Sequence, residues 1–138
     1  MTTQFNRHAQ VRRVWFAPLT GLEATFDHGS HRAEIRQAEW SDLRASKTEF
    51  TEEQTGGVAK IKLDATVTDT SATHEAELAT LSGVPGVVRM DYTDGSCRVV
   101  GSDEWPVCLS MKCSGNPAVW HMTLDTVLPC GAYKLPSL

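Results

Sequence analysis

The chain has 138 residues, 41% of them hydrophobic, 22% charged and 7% aromatic, a length that suits one domain and a composition that belongs to a folding chain. Thirteen Lys and Arg against seventeen Asp and Glu give a net charge of -4, which argues against a nucleic-acid partner held mainly through phosphates. No apolar run approaches the ~20 residues of a membrane-spanning helix, so no membrane partner is expected.

The opening stretch MTTQFNRHAQVRRVWF lacks an apolar segment long enough for an export signal, which points to a cytosolic protein. Arg7, Arg12 and Arg13 read as part of a solvated terminus, with residues 1–10 disordered. Alternation of period two then begins. Leu22, Ala24 and Phe26 alternate with Glu23, Thr25 and Asp27, and Ala33 and Ile35 with Arg32, Glu34 and Arg36. Between them, Asp27-His28-Gly29-Ser30-His31 holds the residue types of a hydrolytic triad. Triads are assembled from distant segments, however, and Asp, Gly and Ser between two alternating runs make a hairpin turn. The following IRQAEWSDLR reads as strand, kink and loop.

A polar arm, KTEFTEEQ, leads through Thr55-Gly56-Gly57 into VAKIKLDATV. Ala59, Ile61, Leu63, Ala65 and Val67 share one face there, while Lys60, Lys62, Asp64 and Thr66 share the other, the pattern of a strand with one dry side. The arm carries a single Phe50, so residues 47–67 are expected to form a hairpin that protrudes as an edge or flap. A short helix follows, capped by Ser71 or Thr73 and stopped by Gly83, with Leu78 and Leu81 on its buried stripe. Thr93-Asp94-Gly95 between VVRMDY and SCRVV marks a tight hairpin. Trp120, Met122 and Leu124 complete the pattern. The expectation for 1–138 is a single mainly β domain, an antiparallel β-sandwich or partly closed barrel with one short α-helix.

A zinc site would need Cys108 and Cys113 together with His28 and His31 from far upstream. Alternation puts Cys113 on the side of Val107, Leu109 and Met111, and Cys108 with Ser110 and Lys112 on the other, a poor clip for one ion. No metal or other cofactor is expected, and Cys97, Cys108, Cys113 and Cys130 read as small, often buried apolar residues. Paired carboxylates for glycoside chemistry would have to come from Asp91, Asp94, Asp103 or Glu104, of which Asp91 falls on the wet face of its strand and Asp94 in a turn. No catalytic residue is nominated. Trp105, just before Pro106, reads as an exposed interface residue.

The order of the segments resembles that of small prophage-encoded structural proteins, tail-associated, in which a D-G hairpin precedes V-x-G-x-x-x-x-P. Asp94, Gly95, Val99, Gly101 and Pro106 occupy those positions, and the resemblance spans roughly residues 47–133. It implies a non-enzymatic subunit of a phage-like particle that works by self-association, as a homo-oligomer or ring, and by contact with other particle proteins. Phe50 and Trp105 are then the partner-facing residues, and a charge at Phe50 should impair assembly more than folding. Two other classes stay open: a small metal- or ligand-binding domain using His28, His31, Cys108 and Cys113, and a regulatory module that grips one protein through its exposed hairpin.

Overall fold

In VAKIKLDATV the inner row, Ala59, Ile61, Leu63, Ala65 and Val67, is buried throughout, while Lys60 and Lys62 are exposed. This strand anchors one sheet of a two-sheet sandwich. The structure, a computed structural model, describes residues 10–27, 29–68, 71–115, 119–129 and 131–134. Its strands are β1 (Val11–Pro18), β2 (Glu23–Asp27), β3 (Arg32–Gln37), β4 (Ser41–Asp42), β5 (Lys47–Thr55), β6 (Val58–Val67), β7 (Gly86–Tyr92), β8 (Cys97–Val100), β9 (Ser110–Ser114), β10 (Val119–Leu128) and β11 (Tyr133–Lys134). The helix Ala72–Leu81 lies between β6 and β7. No helix among the described residues is long and apolar enough to cross a membrane.

One sheet has seven strands in the order β2-β3-β11-β8-β7-β1-β4, and the other has four, β5-β6-β10-β9. Neither closes into a barrel, so the fold is a sandwich. Its pairing is antiparallel except between β3 and β11, where Lys134 lies opposite Arg32 in parallel. The parallel pair arises because the chain returns from β10 to insert β11 between β3 and β8. Between the sheets, Val14, Phe16, Val88, Met90 and Val100 pack against Ile61, Leu63, Met122 and Leu124.

Local chemistry explains the corners. Asp27 Oδ1 accepts from the backbone N–H groups of Gly29 at 3.0 Å and Ser30 at 3.3 Å, the bonding of an Asx-type turn. Asp94 Oδ1 accepts from Ser96 N at 2.9 Å and Ser96 Oγ at 2.6 Å, which fixes the β7–β8 hairpin. Gly56 and Gly57 have φ of 60° and 84°, the two positive values of a tight hairpin whose twist matches its strands. Ser71 Oγ caps the helix by accepting from His74 N at 3.4 Å.

Two expectations need correction. The pair β5–β6 does not stand out from the domain: β6 is an interior strand, and the inner row of β5 lays Phe50 against the core. One apolar side chain with Thr48 and Glu52 beside it is enough to seat the arm as a border strand. The three described cysteines are not buried either. Cys108 and Cys113 are exposed and Cys97 is half-buried. Cys113 continues the inner row of β9 opposite Trp120, but β9 is itself a sheet border, where that row reaches solvent. Arg7, His28 and Cys130 lie outside the described residues, as do residues 1–9.

Candidate functional site

The second sheet presents one long open border. Among the described residues the only strand paired with β5 is β6, along an unbroken register from Lys47–Thr66 to Thr55–Val58. The other borders are weaker templates: β4 has 2 residues, β9 has 5, and β2 has 5 with a register shift between Glu23 and Ala24. Short or irregular edges resist pairing, whereas a long regular one invites it. Beside β5 runs a groove of about 600 Å³ whose lining includes Gln10, Val11, Thr48, Phe50 and Tyr92. Burial pushes the Tyr92 phenol up against the pull of Arg98, with Glu52 and Asp94 adding to the rise, so the hydroxyl stays protonated at neutral pH. Glu52 Oε1 accepts from Ala132 N at 2.7 Å, tying the strand to the link before β11.

Trp105 is 49% exposed, as its place before Pro106 suggests. It sits on a firm loop: its N–H donates to the hydroxyl of buried Ser102 at 3.1 Å, and its carbonyl accepts from Ser102 N at 3.1 Å. A large exposed aromatic on an ordered backbone is a favoured anchor for a protein contact. Phe50 is half-buried within the core cluster. A charge there would disturb folding as well as any contact, so Phe50 does not separate the two roles. Lys47, Glu49 and Glu53 on the exposed row of β5 do.

The outer face of the four-stranded sheet is a charge lattice. Lys60 stands opposite Glu53, Lys62 lies between Thr51 and Asp125, and Asp64 Oδ1 is 3.1 Å from His121 Nδ1. Lys60 and Lys62 each have an anion opposite, while Glu49 stands opposite Asp64 and Lys112 opposite His121. That mixed pattern suits a solvated face.

A polar network on the seven-stranded sheet was not legible as such. Asp91, assigned to a wet face, is instead largely covered. Its Oδ1 accepts from Arg89 Nε at 2.8 Å and its Oδ2 from Trp15 Nε1 at 2.9 Å. Arg89 Nη2 lies 3.5 Å from Cys97 Sγ, and its guanidinium sits over the Trp40 ring at 5.9 Å. Next to this network, Leu22, Phe26, Ile35, Ala38 and Trp40 pack over Ala17, Val87 and Val99. The available signal was Val87 on the supposedly wet side of VVRMDY, which marks a strand covered on both faces. Burial pushes the Asp91 carboxyl up, but hydrogen bonds from Cys97, Arg89 and Trp15 and the Arg89 charge outweigh it and hold it below the usual carboxylate range. Burial, reinforced by Asp91, raises the Cys97 thiol against Arg89. A raised, half-covered thiol is a poor nucleophile. Iodoacetamide at neutral pH should therefore alkylate Cys108 and Cys113 before Cys97, an order read by peptide mapping.

The metal candidates are dispersed. His31 sits in the β2–β3 turn of one sheet, Cys113 on the border of the other, and Cys108 between the bridges made by Val107 and Leu109. Among the described residues no group of three or more His, Cys, Asp or Glu is placed to hold a metal ion. His74, unnoticed in the sequence, is 2% exposed, with Nε2 3.0 Å from the Leu43 carbonyl. It fastens the helix to the chain just after β4. No family model, curated protein or solved structure matches this chain, and its function is read from its own residues.

Proposed function

We propose that this protein is a non-enzymatic assembly subunit of a phage-like particle, tail-associated, which acts through contacts with copies of itself and with companion proteins. The observation that carries the reading is β5, 9 residues of regular strand whose outer edge is open among the described residues and flanked by a groove of about 600 Å³. Such an edge offers a row of backbone donors and acceptors, and the groove gives an incoming strand's side chains a place to settle. Trp105 adds a second, exposed aromatic contact point. Assembly requires surfaces that repeat identically on every copy, which a fixed sheet border provides.

The prophage class follows from the resemblance over residues 47–133. Three of the candidate carboxylates have structural duties: Asp27 and Asp94 hold turns, and Asp91 is bound by Arg89 and Trp15. On this reading the protein is made in the cytoplasm and then built into the particle. Quantitative mass spectrometry of purified particles, with immunogold labelling, tests it. Many copies per particle, located on the tail, are expected. Complete particles that lack the protein contradict it.

A further inference from the structure

We infer that β5 pairs with β5 of a second copy, antiparallel and about a two-fold axis through Phe50, so that two four-stranded sheets become one of eight strands. The inference rests on the assembly reading above and specifies which surface is used and in what register. Opposed residues on antiparallel neighbours point to the same face. A continuous sandwich must therefore set the Thr48, Phe50 and Glu52 row beside its own copy and the Lys47, Glu49, Thr51 and Glu53 row beside its own.

That rule leaves few choices. Within Lys47–Thr55, symmetric registers overlapping 5 or more residues are centred on Glu49, Phe50, Thr51, Glu52 or Glu53. Centring on Glu49, Glu52 or Glu53 sets that glutamate directly against its own copy. Centring on Thr51 sets Glu49 against Glu53 twice. Like charges directly opposed are destabilising. Only the register centred on Phe50 avoids every such clash. It places Lys47 opposite Glu53 of the other copy twice, Glu49 opposite Thr51, Thr48 opposite Glu52, and Phe50 opposite Phe50. The incoming inner row then lies over the groove lined by Val11, Phe50 and Tyr92. Lys47, whose Nζ is 3.3 Å from Glu49 Oε1 within its own strand, is exposed and free to reach across the new seam.

The contact is isologous, so it makes closed dimers rather than an open chain. Higher assemblies would add a second surface, and Trp105 is available for that. A partner of other sequence would face an edge with Glu49, Glu52 and Glu53 against the single Lys47, whereas this chain meets itself in charge register.

Charge reversal tests the pairing on exposed residues that the core does not use. Lys47→Glu and Glu53→Lys are each compared with wild type, with the double variant, and with a one-to-one mixture of the two single variants. Sedimentation velocity reads association, and thermal melting confirms that every variant folds with β5 in place. That check includes Glu53→Lys and the double variant, because the reversed charge there also faces Lys60 across its own hairpin. Wild type is expected to dimerise. Each single variant should weaken the dimer on the order of tenfold or more. The double variant should recover it, and the mixture should form the mixed dimer. Wild-type self-association that both single variants leave unchanged overturns the β5 pairing while the assembly reading stands. Association that the single variants weaken but the double variant does not restore overturns the register. A wild type that stays monomeric at every concentration, or pairs only with a different protein, overturns the self-pairing, and presence or absence of the protein in particles then decides the assembly reading separately.

Discussion

Gly86→Ala should cost about 2–3 kcal/mol and lower the melting temperature by on the order of 10 °C. Gly86 opens β7 opposite Pro18 of β1. A Cβ added there would run into the Ala17 backbone carbonyl and come within 2.6 Å of Phe16 Cζ. Neither neighbour has room to yield. Phe16 is fully buried in the core, and Ala17 belongs to the β1–β7 ladder. Gly86 cannot retreat because its N–H and carbonyl are both bonded to Val107, each at 2.9 Å. The added methyl must therefore pry β1 from β7, the most extensively paired strands of the larger sheet. Urea unfolding followed by tryptophan fluorescence measures the loss. A variant within about 0.5 kcal/mol of wild type, the scale of a neutral surface change, would mean that the close approach of β1 is misread.

Asp91→Ala should be of similar size and should depend on pH. The substitution leaves the Trp15 indole N–H and the Arg89 guanidinium without their carboxylate, in a site where Arg89 and Asp91 side chains are only 25% and 17% exposed. Stranding a charge and a donor with that degree of cover costs about 2–3 kcal/mol. The sign of the pH effect follows from the lowered carboxyl. Because Asp91 ionises more readily in the folded state than in the unfolded one, its contribution is complete above the ordinary aspartate value of about 3.9 and disappears as pH falls through the lowered folded-state value. Arg89 stays charged throughout: burial works against its charge, but Asp91 more than offsets that and raises it. The gap between wild type and variant should hence be constant from pH 7 to 5 and shrink below about pH 4. Urea titrations at pH 7, 5 and 3 read it. A gap that widens in acid would contradict the network.

Much of the sandwich was legible because its information is local. The β6 row announces a half-buried strand in ten consecutive residues, and the Asp27 and Asp94 turns are fixed by side chains bonding two or three residues away. The polarity of β5, with one Phe among Glu, Gln and Lys, likewise marks a border strand. What escaped depends on distant partners. Asp91 meets Trp15 across 76 positions, and His74 meets Leu43 across 31. No periodicity encodes such pairs. The insertion of β11 is similar: Tyr133 is buried because β3 and β8 flank a strand of only two residues, too short to show alternation. The cysteines were misplaced for the opposite reason. Alternation correctly put Cys113 in the row of Met111, but not at the margin where that row meets water.

The central claim is that this protein acts through the open border of its smaller sheet. Amide hydrogen exchange of residues 47–55, compared between dilute and concentrated protein, tests it most directly. Alternate amides of β5 already bond to β6, whereas those on its other side have no strand beside them among the described residues. The account predicts that these outward amides become protected as concentration rises while those of β2 and β9 do not. Exchange across 47–55 that stays the same in dilute protein, in concentrated protein and in the assembled particle would contradict it.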